Sequence, residues 1–513
     1  MSDPETDHVS DPKVYTDRAP DSDDGTPPSL ALSVSGGAGG IEARYDDLVR
    51  LGRLYGDTGG RLVEAAWDDK LEAADGDLLA SAILSPGSFA DAEAAILDAT
   101  YGPRGLVVRA ATIEAQSLCF VGVVEIYRAA DEARAVAVES LHYGLGYVIG
   151  VNLPAIAFAG GLGYGALHLI DPALAGMTQD ELIEYLEDHP EVVQSLVDGG
   201  GGLLDGVGAN PLTGPILDAL GLDGFHPSTG AAADDLGDLL FGDYEGDLND
   251  AYEGPLFDHE PPHDLEDLVE DLGTTAAGDV PDGVISIQQI TDAEGHVSYV
   301  VQLPGTDEFM SEGAIRNMGS NLNLIAGDST AYGDAIAQAM ADAHVPADAP
   351  VMLVGHSQGG MQAAALAGDP DFDYHVTHVM TAGSPVATSG IPDDVSVVSL
   401  ENTGDLVPLL DGEDNPDGAH HTTVQADVHS GSFGAEDGQN HALSTYEQIA
   451  AAADGSVDPS LQEAIADMHE QGFLADDGEP VQSQTYTYQT QQGDQLRAAE
   501  IRDPLAMLGN LVS

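Results

Sequence analysis

Hydrophobic positions in the first third of the chain follow a helical period. Tyr45 and Leu48 begin one such series, and a second series begins at Leu106. Apolar residues at this spacing lie on one face of a helix, where they pack against a neighbouring element. The pattern predicts an α-helical bundle over residues 36–137, preceded by a disordered acidic tail over residues 1–35.

A different pattern begins near residue 281. Short apolar runs of strand length, such as residues 351–354, alternate with segments of helical periodicity, such as residues 332–340. Strands that alternate with helices indicate an α/β sheet that is covered by helices on both faces. The pattern predicts this domain over residues 281–455, and residues 456–513 follow it as a C-terminal appendix without an assigned role.

Two segments of unusual composition lie between these regions. Within residues 138–171, the stretch 144–167 is uncharged and long enough to cross a bilayer. Its seven glycines and its proline make it a poor single helix, so contact with a membrane and a buried hairpin are both open. Residues 172–280 are acidic and rich in glycine, which predicts a linker or a loosely ordered connector.

Acidic residues greatly outnumber basic ones. The chain has 89 Asp and Glu against 14 Lys and Arg, which gives a formal net charge of −75. Such a chain cannot neutralise phosphates, so nucleic acid is excluded as a partner, and an anionic membrane surface would repel it. An acidic surface with almost no lysine resembles the surfaces of proteins adapted to molar salt. The alternative explanation of the negative charge is that it only keeps the protein soluble.

Cysteine usage and the N-terminus constrain the compartment only weakly. The single cysteine, Cys119, excludes an internal disulfide framework. The first residues lack the basic and apolar stretches of a Sec-type signal peptide. Tyr127-Arg128-Ala129-Ala130-Asp131 resembles the Tyr-x-x-x-Asp/Glu signal of actinobacterial type VII secretion substrates. This resemblance implies a secreted or cell-envelope-associated protein that is delivered by that route with a secretion-machinery partner, and without it we expect a cytoplasmic protein.

One short motif indicates nucleophilic chemistry. Gly355-His356-Ser357-Gln358-Gly359 follows an apolar strand and precedes a helical segment. A Gly-x-Ser-x-Gly turn in this setting exposes the serine hydroxyl and points the next backbone N–H, that of Gln358, at the place where an oxyanion forms. A second oxyanion donor is expected after an earlier strand, where Gly305 permits a tight turn and Thr306 offers its N–H.

A nucleophilic serine also needs a base and a carboxylate that orients the base. Asp405 follows the strand predicted over residues 395–400 and fits the acid, with Glu401 as the nearest rival. Four histidines come later within the domain predicted over residues 281–455: His420, His421, His429 and His441. His441 opens a helix after the last strand, which is the place expected for the base. The adjacent pair His420-His421 lacks further ligands at suitable spacing, which disfavours a metal site.

Five motifs occur in order between residues 284 and 450. They are Pro304-Gly305-Thr306, Gly355-His356-Ser357-Gln358-Gly359-Gly360, Thr381-Ala382-Gly383-Ser384-Pro385, Asp405-Leu406-Val407-Pro408, and His441 followed by Tyr446. This series resembles class 3 lipases of the α/β-hydrolase superfamily. The resemblance implies an α/β-hydrolase-type sheet, a triad of Ser357, Asp405 and His441, an oxyanion hole from Thr306 and Gln358, and no metal or organic cofactor.

The sequence departs from that family at two positions of the site. Gln358 stands where those lipases usually have leucine, and glutamine there also resembles cutinase-like and PE-PPE esterases. Pro304 stands where many members have arginine. Both departures affect the expected substrate class rather than the expected reaction.

The leading hypothesis is a serine ester hydrolase of lipase or esterase type that acts on an ester or lipid substrate. The helical region before it is expected to serve delivery or membrane contact. A thioesterase or an acyltransferase would use the same residues. The alternative from another class is a non-catalytic secreted interaction protein that uses the hydrolase fold as a scaffold.

Overall fold

The computed structural model describes most of the chain and divides it into two compact units, Glu42–Val138 and the remainder. The type VII-like motif at residues 127–131, most of segment 144–167, and His429 lie outside the described residues. The described residues are 9–10, 12–15, 30–37, 45–73, 79, 83–102, 104–113, 116–117, 121, 142–147, 150–151, 189–211, 213–222, 224–308, 311, 313–428, 439–476, 478 and 480–497.

The described strands of the larger unit form one mixed sheet. Its strand order is β1-β10-β4-β5-β6-β7-β8-β9-β2, and β3 pairs with β10 outside this path. Strands β5 to β9 are parallel to one another, and the outer pairs are antiparallel. In chain order the strands are β1 (Lys13–Tyr15), β2 (Leu32–Gly36), β3 (Asp243–Leu248), β4 (Val284–Thr291), β5 (Val297–Leu303), β6 (Val351–His356), β7 (Val376–Ala382), β8 (Ser396–Asn402), β9 (His421–Ala426) and β10 (Val481–Arg497).

The described helices are distributed over both units. The smaller unit contains α1 and α2, and the larger one contains α3 to α12. In chain order they are α1 (Tyr45–Ala73), α2 (Pro86–Tyr101), α3 (Pro190–Asp198), α4 (Gly200–Ala209), α5 (Gly214–Ala219), α6 (Thr229–Leu240), α7 (Leu265–Thr275), α8 (Met318–Ala326), α9 (Ala331–Asp342), α10 (Gln358–Gly368), α11 (Leu443–Asp454) and α12 (Pro459–Glu470).

The sheet has a hydrophobic core on each face. In β6, Met352 and Val354 lie in one core, and Val351 and Leu353 lie in the other. Because both faces of a central parallel strand are buried, its sequence is a continuous apolar run rather than an alternating one. Helices α7, α11 and α12 cover the first face, and α9 and α10 cover the second. The predicted α/β fold with helices on both faces is confirmed.

The segment predicted as a linker, residues 172–280, is structured where it is described. It contains α3 to α7 and β3. Leu265, Leu268 and Leu272 of α7 are fully buried in the first core. The surrounding Asp and Glu lower the average hydropathy of this segment, but a helix needs only one apolar face to pack on a sheet. The structure corrects the linker prediction for these residues.

Both ends of the chain also contribute strands. Strand β2 pairs with β9, and β10 lies between β1 and β4. Although β10 is rich in Gln and Thr, Thr485 and Thr487 are fully buried, and their hydroxyls accept hydrogen bonds from the N–H groups of His259 and Phe257. Polar residues fill a sheet interior when their hydroxyls find partners. For the residues that form β1, β2 and β10, the structure thus differs from the predicted disordered tail and C-terminal appendix.

The smaller unit is helical in its described part. Helices α1 and α2 pack on each other and fall within the region predicted as a bundle. Helix α2 begins at Pro86, whose fixed φ suits the first turn of a helix. The Ser117 hydroxyl donates to the Gly52 carbonyl at 2.7 Å, so the chain near Ser117 also packs on α1.

The described start of the apolar segment 144–167 packs closely against neighbouring helices. A Cβ on Gly146 would collide with the Gly199 carbonyl, and a Cβ on Gly202 would collide with the Tyr143 carbonyl. Glycines at such crossings let two helix backbones approach each other. Within the described part of the chain, no helix combines the length and the apolar character that crossing a membrane requires.

Candidate active site

Ser357 occupies the sharp turn between β6 and α10. Its backbone has φ 55° and ψ −123°, with a positive φ that few non-glycine residues adopt. A hydrogen bond from the Ser357 N–H to the Ala382 carbonyl, 3.0 Å long, holds the turn. Gly359 is needed behind it because a Cβ there would collide with the Leu303 carbonyl. A strained serine between a strand and a helix is the geometry of a nucleophile elbow.

Asp405 and His441 lie in contact beyond the carboxyl end of β8. His441 Nδ1 is 2.6 Å from Asp405 Oδ2, and Asp405 is only 2% exposed. The other carboxylate oxygen accepts a hydrogen bond from the Val407 N–H at 3.0 Å. An ionised carboxylate accepts hydrogen bonds only, so the Nδ1 of His441 carries the proton and its Nε2 is left to accept one. This is the tautomer that a general base requires.

His356 joins the elbow to His441. Its ring packs against the His441 ring with centroids 4.5 Å apart, and its Nε2 lies 2.9 Å from the His441 carbonyl oxygen. Because His356 directly precedes Ser357, the imidazole of His441 lies beside the nucleophile turn. Among the described residues no hydrogen bond joins the Ser357 hydroxyl to His441, and such bonds commonly tighten only when substrate binds.

Thr306 and Gln358 lie on either side of the elbow. Gly305, next to Thr306, approaches the nucleophile so closely that a Cβ on it would be 2.9 Å from Ser357 Cβ. Gln358 is the first residue of α10, where backbone N–H groups have no partner within the helix. Its side chain is buried and donates from Nε2 to the Asn317 carbonyl at 2.7 Å. The turn that carries Thr306 and the N-terminus of α10 are therefore both adjacent to Ser357.

A buried ion pair supports the turn that carries Thr306. Arg316 Nε donates to Asp307 at 2.8 Å, and Arg316 is 3% exposed. The guanidinium also lies over the ring of Tyr332, 5.7 Å from its centroid. Arg316 is the one Lys or Arg between residues 135 and 496. The isolation of this cation was visible in the sequence, but its partner was not.

Tyr446 is a further residue of the site whose role the sequence did not show. Its hydroxyl donates to Asp405 Oδ2 at 2.6 Å, the oxygen that also contacts His441. Burial and the charge of Asp405 raise the pKa of Tyr446 well above its usual value, so the hydroxyl stays protonated. Gly383, with φ 62°, leaves the space for it, since a Cβ there would be 2.6 Å from the Tyr446 oxygen.

Two asparagines hold the loop of Asp405 against the turn that carries His441. Asn440 Nδ2 donates to the Gly404 carbonyl at 2.8 Å, and Asn402 Nδ2 donates to the Asn440 carbonyl at 3.0 Å. Gly404 and Asn440 are the direct neighbours of Asp405 and His441 in the chain. These two hydrogen bonds hold the segments of Asp405 and His441 together. No sequence motif indicated Asn402 or Asn440.

Glu401, His420 and His421 make other contacts. Glu401 accepts hydrogen bonds from Asn415 and Gln425, and burial raises its pKa. His421 pairs with Val397 at the start of β8, so it and His420 lie at the edge of the sheet opposite to Asp405. Burial lowers the pKa of His421 to about 4. Within the described residues, no group of three or more His, Cys, Asp or Glu is arranged to hold a metal.

The elbow after a central parallel strand and the helices on both faces of the sheet define an α/β-hydrolase-type fold. Residues 325–422 match a family model described as a PGAP1-like alpha/beta domain, which is a family of this type. The matched part includes Ser357 and Asp405 and ends before His441. No curated protein and no solved structure matched the chain.

Proposed function

We propose that the protein is a serine hydrolase that cleaves carboxylic esters through an acyl-enzyme. The observation that carries the proposal is the 2.6 Å contact between His441 and Asp405, which lies beside a strained serine turn. Asp405 is only 2% exposed, and a buried carboxylate needs hydrogen-bond partners, one of which is His441. Retained backbone strain at Ser357 also argues against a purely structural scaffold, because such strain persists where function requires it.

In the proposed reaction, Ser357 Oγ attacks the ester carbonyl while His441 Nε2 takes its proton. Asp405 keeps the Nδ1–H tautomer and stabilises the imidazolium that forms. The N–H groups of Gln358 and Thr306 bind the oxyanion. His441 then gives the proton to the leaving alcohol. In the second step a water molecule attacks the carbonyl of the acyl-enzyme while His441 takes its proton, and His441 returns that proton to Ser357 Oγ as the acid leaves.

The charges around the site favour an uncharged ester or lipid substrate. Arg316 is buried and paired with Asp307, so it is not available to a carboxylate or phosphate of a substrate. The stretch from residue 317 to residue 496 contains no Lys or Arg. A substrate with a negative group would have to approach this acidic region without compensation.

The test compares the wild type with Ser357→Ala and with Ser444→Ala, which changes an exposed serine at the start of α11. Hydrolysis of p-nitrophenyl acetate, butyrate and palmitate is measured beside the matching thioesters. We expect Ser357→Ala to lose activity by about three orders of magnitude or more and Ser444→Ala to keep it. Faster thioester turnover, or acyl transfer to an added alcohol, would favour the thioesterase or acyltransferase alternative.

We further propose that residues 36–137 serve delivery or membrane contact for the hydrolase. The support is the helical pattern of this region and its Tyr127-Arg128-Ala129-Ala130-Asp131 motif. Comparing cell and medium fractions for the wild type and for Tyr127→Ala tests the secretion route. Equal distribution of the two proteins would remove the support for a secretion-machinery partner.

A further inference from the structure

His356 is a titratable residue at the centre of the site that the proposed reaction does not use. It ends β6, directly before Ser357, and its ring packs on that of His441 at an interplanar angle of 33°. Its Nε2 is 2.9 Å from the His441 carbonyl oxygen. Because a carbonyl only accepts, Nε2 carries a proton, and in the neutral ring Nδ1 is the acceptor.

The surroundings keep this ring neutral. Burial, together with the neighbouring His441, lowers the pKa of His356 to about 3. Tyr446 is the other titratable group whose ring packs against it, with centroids 5.9 Å apart, and Tyr446 stays protonated. A neutral ring can present its π face to an imidazolium, whereas a second cation at this place would repel it.

The opposite edge of the His356 ring faces the oxyanion turn. A Cβ on Gly305 would lie 3.3 Å from His356 Nδ1. One ring therefore touches the backbone and the imidazole of His441 on one side and the turn that carries Thr306 on the other.

We propose that His356 is a positioning residue that holds the general base against the nucleophile elbow and stabilises its protonated form. The proposal rests on the assignment of His441 as the base. Two contributions are separable in it. The hydrogen bond from Nε2–H to the His441 carbonyl fixes the place of the base, and the stacked neutral ring favours the imidazolium of His441.

Three variants separate these contributions. His356→Gln keeps a donor near the position of Nε2 but removes the ring, His356→Phe keeps the ring but removes the donor, and His356→Ala removes both. For each, kcat and KM are measured with p-nitrophenyl butyrate, and the rate of Ser357 labelling by a fluorophosphonate is measured against pH. Labelling reports the protonation of His441 without substrate turnover.

We expect His356→Phe to lower kcat by about 10- to 100-fold with little change in KM, because a displaced base costs rate rather than binding. We expect His356→Gln to recover kcat to within about fivefold of the wild type. Without the stacked ring, the protonated form of His441 is less stable. The acidic limb of the labelling profile should therefore move to lower pH by about half a unit in His356→Gln and stay in place in His356→Phe.

Equal losses in His356→Phe and His356→Gln with an unchanged pH profile would overturn the proposal, since they would indicate a packing role alone. Wild-type activity in His356→Ala would overturn it as well. If His356→Ala does not fold, the two ring-sized variants decide the question. A wild type that neither hydrolyses the ester nor labels at Ser357 would instead overturn the hydrolase assignment, and this role with it.

Discussion

Two regions of the larger unit each bring a serine, a histidine and an aspartate close together. The set with the more complete hydrogen bonding is the interior one, not the proposed active site. In the interior, Ser286 Oγ is 3.1 Å from His259 Nε2, and His259 Nδ1 is 2.8 Å from Asp271 Oδ1. At the edge of the sheet, His441 contacts Asp405, and Ser357 lies beside them without a hydrogen bond from its hydroxyl to His441. The connectivity of a triad alone therefore does not identify a hydrolytic site.

The surroundings separate the two sets. Ser286 is in the middle of β4, is fully buried and shares a second hydrogen bond with Thr275. It has no strained turn and no helix N-terminus beside it. Ser357 has the positive φ of an elbow, and the N-terminus of α10 and the Gly305 turn lie close by. The interior set connects α7 to the sheet, and the edge set offers a place where an oxyanion can be bound.

The largest expected difference between the two sets is in activity. His441→Ala should reduce ester hydrolysis by about 10³-fold or more at unchanged fold, because the base acts as one unit with the nucleophile. His259→Ala should lower the melting temperature while the folded protein keeps its kcat. His420→Ala, at the other edge of the sheet, should change neither much. Loss of kcat in folded His259→Ala, with an active His441→Ala, would reverse the assignment of the two sets.

The interior set is expected to act through the packing of α7. Leu272→Ala should destabilise the protein by about 2–5 kcal/mol, because it leaves a cavity in the first core. The control is Leu256→Ala, from the same segment, where leucine is 46% exposed. Its effect should be within about 0.5 kcal/mol. Denaturant unfolding measures both, and equal effects would restore the interpretation of residues 172–280 as a linker.

His226 lies between two carboxylates and should make the free energy of unfolding depend on pH. His226 Nδ1 is 2.6 Å from Asp205, and its Nε2 is 2.8 Å from Asp235. Burial alone would lower the pKa of His226, but the hydrogen bonds and charges of the two carboxylates outweigh it and raise this pKa. A raised pKa in the folded state stabilises the protein fully below about pH 6.5, and this contribution is lost as pH rises through the folded-state value.

We therefore expect the melting temperature of the wild type to fall between about pH 6 and pH 9, and to fall less in His226→Gln. His296→Gln is the matched control, because His296 also contacts an aspartate but its side chain is 83% exposed. If the melting temperatures of the wild type and of His226→Gln depend on pH in the same way, His226 contributes no pH-dependent stability.

The smallest expected effect is that of salt. Dense negative charge should destabilise the fold at low ionic strength, and screening shortens the Debye length from about 10 Å at 0.1 M to about 3 Å at 1 M. The full chain should melt at a higher temperature in about 1 M sodium chloride than in about 0.05 M. The full chain is required because β10 and α7 lie outside residues 281–455. An unchanged or lower melting temperature would contradict adaptation to salt.

The sequence was informative where local pattern and chemistry coincide. The elbow, the α/β alternation and the loop positions of Asp405 and His441 could be predicted because each depends on neighbouring residues. Tyr446 and His356 could not be given roles, since their contacts with Asp405 and His441 join distant parts of the chain.

Average composition is a poor guide to structure where the buried residues are few or polar. Helix α7 buries one leucine stripe among many carboxylates, and β10 buries threonines whose hydroxyls are paired. Both features become visible only when the partner element is known. For this reason the connector and the appendix were the least accurate parts of the prediction.

Reaction of the full chain with a fluorophosphonate probe, followed by mass-spectrometric mapping, tests the central claim most directly. The wild type should take up one probe per chain on Ser357, Ser286→Ala should label like the wild type, and Ser357→Ala should not label. His441→Ala should label far more slowly, because the serine has lost its base. A folded wild type that does not label, or a label on any other serine, would contradict the assignment of Ser357 as the nucleophile.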